Sequence, residues 1–392
     1  MTETVVPTRE ELVERAAKVV PLLRERSLWI DEHGTMPDEV IEALEETDIF
    51  RMQVPVEYGG FESDARTLVD VHAELAKGNT SAAFCVAVYS LQNWMTALWP
   101  DEVLAEVFAR PNVRVCGGGA PTGTATRVPG GYRVSGEWAF TSGVRHSHWK
   151  LSAAKTSGPD GEGGVFALLP VESLELRDDW DTVGLEGTGS VTTVAKDVFV
   201  PDKHILDAAE FMAKPCQSET NSTKGLYQVP IPVTATVAMV GVLLGSAEYA
   251  LASFLERLPG RPISYTDYQS QAAASVTHLQ VGEAAMLIEE ALTRARQFAD
   301  RMSEKTRDAE PWSQAERITS RVQIGRVGQL CKQAVEILAS ASGGSSIYRK
   351  VPIVRIHRDL HAMLLHGFFN PQTNIELYGR HLCDQEPNTT YF

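Results

Sequence analysis

Two histidines near the end of the chain have the side chains best suited to move protons. His361 and His366 lie in the run RIHRDLHAMLLHGFF. Because an imidazole has an unperturbed pKa of about 6.5, it can take a proton from a phenol or an amine, or give one to a departing hydroxide. The pattern predicts one helix over residues 352–382, on which residues five apart point about 140° from each other. At most one of the two histidines is therefore expected to face a given pocket.

A metal site is an alternative role for this part of the chain. His357 and His361 are four residues apart and could bind one ion from the same face of a helix. A di-iron bundle would need paired Glu-x-x-His motifs, and the sequence contains none. We therefore predict no metal.

The composition argues against several classes of protein. The chain has 392 residues, is 43% hydrophobic and carries a formal net charge of −15. It is long enough to bury a large core, and its acidity without basic runs disfavours nucleic acid and anionic membranes as partners. Its five cysteines are odd in number and form no Cys-x-x-Cys pair. A reducing cytoplasm fits this cysteine pattern better than a secreted, disulfide-bonded location.

The hydropathy pattern predicts neither a signal peptide nor a membrane-spanning helix. The first residues alternate charged and apolar positions at helical spacing, which predicts a surface helix rather than a signal peptide. The longest apolar run, Val229 to Ala247, is interrupted by Pro230 and Pro232. We expect it to form a buried helix.

Hydrophobic periodicity divides the chain into three parts and predicts an α+β fold. Residues 1–113 have a period near 3.6 and predict a helical domain, whereas residues 114–215 carry short alternating runs and Gly-rich turns typical of an antiparallel β-domain. Long helical patterns return in residues 216–392 and predict a four-helix bundle. These patterns cover residues 229–258, 266–304, 311–342 and 352–382.

Several local sequences follow the order found in the acyl-CoA dehydrogenase superfamily. Residues 51–60 (RMQVPVEYGG) resemble its Pro-x-x-x-Gly-Gly loop, and residues 136–143 (GEWAFTSG) resemble its flavin-binding strand. Residues 183–201 (VGLEGTGSVTTVAKDVFVP) are similar to the strand pair that closes its β-domain, and residues 256–263 (ERLPGRPI) to its Arg-x-x-Phe-Gly element. The resemblance covers almost the whole chain. It implies an N-terminal helical domain, a central antiparallel β-domain and a C-terminal four-helix bundle.

The resemblance breaks at the catalytic position of the dehydrogenases. In their Tyr-Glu-Gly-Thr motif the Glu removes the substrate α-proton; counted from Arg358-Asp359, the Tyr and Glu positions fall on His366 and Gly367. The earlier carboxylate position of other members falls on Ala235. Without a carboxylate, α,β-dehydrogenation is not expected. The chain instead resembles the two-component flavin-dependent monooxygenases of the superfamily, both aromatic hydroxylases and amino-sugar N-oxygenases, which share its Arg-Asp-x-His-x-x-x-x-His arrangement.

This resemblance implies roles for individual residues. His366 would be the acid/base beside the substrate, and Ser142, where dehydrogenases usually have Asn, would act next to the flavin. Flavin-binding residues would be Trp138, Thr141, Ser142, Thr122 and Arg257, and substrate-binding residues would be Gln92 and His361. Trp138 could equally belong to the core, Ser142 could satisfy a turn, and Arg257 could complement a helix dipole.

The implied reaction needs reduced flavin, either FMN or FAD. The chain has no nicotinamide-binding Rossmann pattern, so a separate NAD(P)H:flavin reductase is expected to supply it. By resemblance, the flavin forms a C4a-hydroperoxide in a water-excluding site and transfers oxygen to a small organic substrate, in a homotetramer. Two alternatives remain: oxidation of an acyl thioester with Glu376 recruited as base, and a non-catalytic protein that keeps the flavin fold for binding.

Overall fold

Helices flank a sheet in the described chain, which comprises residues 6–157 and 163–392 of a computed structural model. The helices before the sheet are α1 (Arg9–His33), α2 (Asp38–Glu46), α3 (Ala65–Ala76), α4 (Thr80–Thr96) and α5 (Asp101–Val107). The strands are β1 (Val115–Val128), β2 (Gly131–Trp138), β3 (Trp149–Ser157), β4 (Gly163–Pro170), β5 (Glu175–Leu176), β6 (Thr193–Pro201) and β7 (Ile205–Asp207). The later helices are α6 (Ala208–Ala213), α7 (Ile231–Glu256), α8 (Ser275–Asp308), α9 (Gln314–Ala341), α10 (Pro352–Met363) and α11 (Pro371–Leu382).

This order confirms the predicted fold class of helices, sheet and helices. The proposed domain boundaries, after residues 113 and 215, stay a prediction. The first lies just before β1 and the second follows α6.

Helix α4 connects the helical part to the sheet. Its sequence has no polar face, and almost all of its residues are buried. A helix that is apolar all round must be covered on every side, and α4 contacts α3, α7 and β1. Asn79 begins the helix by accepting a hydrogen bond of 2.9 Å from the Ala82 N–H. Side chains on α4 can therefore reach the first strand of the sheet.

The described strands form one sheet in the order β5-β6-β2-β1-β3-β4-β7. Strands β1 and β2 form a hairpin closed by Pro129 and Gly130, with Gly130 at a φ of 80°. Proline followed by glycine suits such a turn because proline fixes its own φ and glycine accepts a positive one.

The prediction of an antiparallel β-domain holds for the described strand pairs with one exception. β1 and β3 run parallel, with Val115 beside Trp149, whereas the other pairs are antiparallel. After β2 ends at Trp138, the chain passes the beginning of β1, so β3 enters the sheet in the direction of β1. An alternating pattern predicts that a segment forms a strand, but it does not indicate which strand lies beside it or in which direction. The sequence therefore could not predict this parallel pair.

The last predicted helix is broken in two. Helix α10 ends at Met363 and α11 begins at Pro371, where Asn370 accepts hydrogen bonds from the N–H groups of Gln372 and Thr373. Proline suits the first position of a helix, where its missing N–H is not needed, and the Asn370 side chain caps that helix, so α11 begins as a separate helix. The prediction of one helix over residues 352–382 was therefore wrong. His366 lies in the turn between α10 and α11, so the angle argued between the two histidines does not apply.

The second bundle helix also starts later than predicted. The pattern suggested residue 266, but α8 begins at Ser275, after turns that contain Tyr265 and Tyr268. This stretch is polar and lacks an apolar stripe that could hold a helix against the core. Helices α7, α8 and α9 pack against one another.

Helix α7 is the buried helix that the sequence predicted. Among the described helices it alone is long and apolar enough to cross a membrane, but 83% of its most apolar stretch is buried within the fold. Gly241 and Gly245 bring it close to α3, because Cβ atoms there would lie 2.4 Å from the Val69 carbonyl oxygen and 1.8 Å from that of Ala73.

Candidate active site

Two side chains of α4 extend toward separate parts of the sheet. The Tyr89 hydroxyl donates a hydrogen bond of 2.7 Å to the carbonyl oxygen of Gly143, just past β2. One turn along α4, the Gln92 Oε1 atom faces β1, since a Cβ on Gly117 would lie 3.1 Å from it. This oxygen is buried and has no hydrogen-bond partner among the described residues. Because buried acceptors are normally paired, it is suited to a ligand donor.

Strand β1 has an accessible stretch of backbone near Gln92. Its pairing with β3 shifts between Gly118 and Gly123, which marks a bulge. A Cβ on Gly117 would lie 2.6 Å from the Leu151 carbonyl oxygen, whereas one on Gly118 would meet no atom within 4 Å. The bulge is thus packed on one side and accessible to a ligand on the other. Thr122 is exposed, and its hydroxyl donates 2.6 Å to the Glu137 carbonyl oxygen.

Trp138 occupies the core of the β-domain. Only 3% of it is exposed, its indole N–H donates 2.9 Å to the Ala153 carbonyl oxygen, and the Lys150 ammonium lies 4.3 Å from its ring centre. This position favours the structural interpretation over the predicted wall of a flavin pocket. Phe140 is the accessible aromatic at this end of the strand. It is 74% exposed at a φ of 59° and meets the Trp180 ring edge-on at 5.9 Å.

The hydroxyl groups after β2 differ in accessibility. Thr141 is buried, and its hydroxyl donates 3.1 Å to the Trp138 carbonyl oxygen. Ser142 is half-buried, and its Oγ lies 2.7 Å from the Oγ of Ser190. Of these two predicted flavin ligands, only Ser142 has a hydroxyl near the surface.

Ser142 is the outer member of a row of three hydroxyl groups. The Ser190 Oγ lies 2.6 Å from the Thr188 Oγ1, which donates 2.8 Å to the Leu185 carbonyl oxygen. Ser190 and Thr188 are 4% and 2% exposed. The sequence reasoning did not select these two residues. Their hydroxyl types were visible in the run LEGTGS, but their contact with Ser142 spans 48 residues and depends on the fold.

His366 lies in the turn between α10 and α11. Its side chain is exposed, yet the surrounding protein lowers its pKa through loss of hydration, with a smaller effect from the Arg321 guanidinium. Its ring stacks on Phe369 with centroids 4.7 Å apart, and its Nδ1 accepts a hydrogen bond of 3.1 Å from the Phe368 N–H. In the neutral ring the proton is therefore on Nε2, which leaves a donor free for a ligand.

The predicted substrate residue His361 lies elsewhere. It is exposed on α10, and its Nδ1 accepts a hydrogen bond of 3.0 Å from the Lys332 ammonium. Partial loss of hydration, followed by the charge on Lys332, lowers the pKa of His361. In the described part of the chain no hydrogen bond links it with His366, Ser142 or Gln92. The same residues contain no group of three or more side chains that could hold a metal ion.

Arg257 follows directly after α7 and is half-buried. Within residues 6–157 and 163–392 its side chain has no hydrogen bond or ion pair, and burial together with neighbouring Arg261 lowers its pKa. Arg261 instead donates to the Ser345 hydroxyl at 2.9 Å and to the carbonyl oxygen of Ser342. Arg257 is therefore the arginine of this pair that remains available to an anion.

Asp359 connects α10 to the loop that carries the hydroxyl row. Its buried Oδ1 accepts a hydrogen bond of 2.7 Å from the Leu185 N–H, and its Oδ2 has no partner among the described residues. Burial raises the pKa of Asp359 to about 7, although the Leu185 N–H opposes this shift. The sequence reasoning used Asp359 only to count positions and missed this contact.

Asp359 should make stability depend on pH. Because its folded pKa of about 7 exceeds its ordinary 3.8, the folded protein binds this proton more tightly than the unfolded chain. The carboxyl should therefore lower the free energy of unfolding progressively as pH rises from about 4 to about 7. Asp359→Asn keeps an acceptor for the Leu185 N–H but has no carboxyl to ionise. Its free energy of unfolding should therefore rise relative to that of the wild type when the pH is changed from about 5 to about 8. Urea unfolding at both pH values measures this; parallel stability changes in the two proteins would contradict it.

Comparisons with known proteins agree with this architecture. The family model of the acyl-CoA dehydrogenase N-terminal domain matches residues 6–103, and that of the C-terminal domain matches residues 237–371. The FADH(2)-dependent resorcinol hydroxylase, oxygenase component, of Rhizobium sp. (strain MTP-10005) is 28% identical over 97% of this chain and 96% of its own length. The oxygenase subunit HsaA of a flavin-dependent monooxygenase from Rhodococcus jostii is 26% identical over 94% of this chain and 97% of its own length.

Solved structures agree as well. XiaF from Streptomyces sp., in complex with FADH2 and glycerol, superposes with a TM-score of 0.92 at 28% identity, covering 97% of each chain. The 3-HSA hydroxylase from Rhodococcus sp. RHA1 gives a TM-score of 0.90 at 25% identity over 97% of this chain and 99% of its own. The chain belongs to the acyl-CoA dehydrogenase superfamily. Within it, this protein is a flavin-dependent monooxygenase, as the motifs predicted.

Proposed function

We propose that this protein hydroxylates a small aromatic compound, using O₂ and reduced FAD supplied by a separate NAD(P)H:flavin reductase. It acts as a homotetramer in the cytoplasm. The observation that carries the proposal is the combination of a half-buried hydroxyl, Ser142, with a proton donor, His366, at positions where dehydrogenases use an Asn and the Tyr preceding their catalytic Glu. Both carboxylate positions of the dehydrogenases are occupied by Gly367 and Ala235.

Residues around the β1 bulge, together with Ser142 after β2, fit a flavin. Gln92 supplies an unpaired buried acceptor, Gly118 supplies open backbone, and Ser142 supplies a hydroxyl. Reduced flavin presents ring N–H groups to such acceptors, and its flat edge needs close backbone approach. When bound, the flavin supplies the electrons that activate O₂.

The chain's own groups have separate tasks in this proposal. Ser142 binds the central edge of the flavin ring. His366 offers its Nε2–H to the substrate oxygen, because its Nδ1 already accepts from the Phe368 N–H. A neutral imidazole held in this form stabilises a phenolate or donates a proton, rather than removing one. The tight packing of the Gly117 side of the bulge helps to exclude water.

An aromatic substrate is favoured by the surroundings of His366. Phe369 stacks on the imidazole, and Phe368 meets Phe369 edge-on with centroids 5.7 Å apart. Such rings bind flat apolar molecules, and the histidine binds a ring hydroxyl. Oxygenation of an amino sugar, the other reaction of this group, lacks this support.

The use of FAD and the tetramer rest on two further observations. The relatives named above include FADH2-dependent and FADH2-bound proteins, and the unpaired Arg257 suits the extra phosphate of FAD. Helix α8 carries large apolar residues on its surface, with exposures of 48% for Val276, 75% for Leu279 and 72% for Met286. Their spacing of three and seven residues forms one stripe, which another subunit would cover.

Glu376 does not support the dehydrogenase alternative. It is exposed on α11 and accepts a hydrogen bond of 3.0 Å from the Asn388 side chain. A base for an acyl α-proton would have to lie within hydrogen-bond reach of the substrate in the flavin pocket.

The proposal is tested by binding and by turnover. Purified protein is titrated anaerobically with reduced FAD and reduced FMN, then mixed with O₂ and a panel of phenols, while product and H₂O₂ are measured. We expect tighter binding of reduced FAD and hydroxylated product at the expense of H₂O₂. Failure to bind either reduced flavin, or bleaching of bound oxidised flavin by acyl-CoA compounds, would overturn the proposal.

A further inference from the structure

We infer that Ser190 and Thr188 fix the direction of the Ser142 hydroxyl and thereby make the site prefer reduced over oxidised flavin. This inference deepens the proposed function and rests on it for the position of Ser142 beside the flavin ring. It assigns positioning roles to two buried residues.

The direction follows from counting hydrogen atoms. Three hydroxyl groups contribute three hydrogens to three short contacts: Ser142 to Ser190 at 2.7 Å, Ser190 to Thr188 at 2.6 Å, and Thr188 to the Leu185 carbonyl oxygen at 2.8 Å. Two oxygens this close repel unless a hydrogen lies between them. The carbonyl has no hydrogen, so Thr188 must donate to it. Ser190 then donates to Thr188, and Ser142 donates to Ser190.

The inner end of this row is held firmly. The Leu185 carbonyl oxygen also accepts from the Trp180 indole N–H at 3.1 Å, and the Leu185 N–H donates to the buried Asp359. Leu185 itself has a φ of 54°, which is unusual for a residue with a branched side chain. Because both sides of this residue are bonded, the carbonyl keeps its orientation and the row keeps its direction.

The outer end then presents lone pairs only. Ser142 is the single member of the three that is not fully buried, and its hydrogen already points to Ser190. The N5 atom of reduced flavin carries a hydrogen and can donate to such an oxygen. In oxidised flavin N5 is an acceptor, so it would face another lone pair. Ser142 therefore binds the incoming reduced flavin and favours release of the oxidised flavin to the reductase.

Thr188→Val tests this direction without altering either serine. Valine has nearly the shape of threonine but lacks the hydroxyl, so Ser190 loses its acceptor and must donate to Ser142 instead. The Ser142 hydrogen then turns outward, where it can bind oxidised flavin. Thr188→Ser keeps the hydroxyl and is the matched control.

The measurement is the ratio of the dissociation constants for oxidised and reduced FAD, both determined under anaerobic conditions by fluorescence or absorbance. We expect Thr188→Val to lower this ratio by about five- to tenfold, the effect of one hydrogen bond, mainly through tighter binding of oxidised FAD. Ser190→Ala, which also releases the Ser142 hydrogen, should act in the same direction. Thr188→Ser should keep the wild-type ratio.

The outcomes separate this inference from the proposed function. Wild-type protein that binds neither form of flavin would refute the proposed function itself. Wild-type protein that prefers reduced FAD, with the same ratio in folded Thr188→Val, would refute the hydroxyl row alone. A fall in the ratio for Thr188→Ser equal to that for Thr188→Val would also refute it, because packing rather than hydrogen-bond direction would then be responsible. Thermal unfolding of each variant establishes that it is folded.

Discussion

Replacing His366 by alanine is expected to lower the rate of substrate hydroxylation by about two to four orders of magnitude, the usual contribution of a positioned acid or base. The imidazole Nδ1 accepts from the Phe368 N–H, so the free Nε2–H is the group lost to the substrate. Binding of reduced FAD should change little, because His366 lies in the α10–α11 turn rather than at the β1 bulge. Oxygen consumption should continue, with H₂O₂ replacing the hydroxylated product.

His366→Gln is the matched variant, since its amide retains an N–H donor without an ionisable ring. We expect it to recover part of the activity that alanine loses. If glutamine and alanine variants are equally inactive, the proton itself matters more than the hydrogen bond. If both retain wild-type coupling of oxygen use to product, His366 has no catalytic role.

The pH dependence of turnover provides a second measurement on His366. Loss of hydration and the nearby Arg321 lower the pKa of His366 below the ordinary 6.5, so the neutral form persists through neutral pH. Nε2 keeps its hydrogen in both forms of the ring, so protonation acts through Nδ1, which then repels the Phe368 N–H and displaces the ring from the substrate. The rate should therefore fall only as pH drops below about 6.5. An acidic limb at or above that value in wild type, or its persistence in the glutamine variant, would contradict the assignment.

Replacing Gly245 by alanine is expected to lower the free energy of unfolding by about 2 to 3 kcal/mol. A Cβ atom there would lie 1.8 Å from the Ala73 carbonyl oxygen and 2.8 Å from the Ala73 Cα. These are backbone atoms of α3, so neither a rotamer change nor a small side-chain shift can make room. The two helices must separate along a contact that also includes Gly241. Alanine favours helix by about 1 kcal/mol, which does not offset this overlap.

Gly282→Ala is the control for Gly245. Gly282 also lies inside a long helix, α8, but a Cβ there would meet no atom within 4 Å. The same substitution should therefore stabilise the protein by up to about 1 kcal/mol. Denaturant unfolding measures both changes, and gel filtration with light scattering shows whether assembly is altered, since Leu279 and Met286 flank this position. A neutral effect of Gly245→Ala would contradict the close contact of α7 with α3.

How much of the site could be predicted differed from residue to residue. Ser142 and His366 were selected by residue type and by resemblance, and their roles stay predictions until the experiments above are done. Trp138 was selected as a flavin wall, but an alternating strand does not reveal which face is covered, and its ring lies in the β-domain core. His361 was grouped with His366 because one helix was expected, whereas α10 ends at Met363 and a separate helix begins at Pro371 after the Asn370 cap.

The amino-acid sequence by itself determined the order of helices and strands, the buried α7 and the loss of both carboxylate positions. These features depend on local periodicity and on residue type, which are written along the chain. Tertiary structure alone decided that β3 runs parallel to β1, that Gln92 faces Gly117, and that Ser142 meets Ser190 and Thr188. Such contacts join residues far apart in sequence, and their geometry follows from the packing of whole elements, which no local pattern encodes.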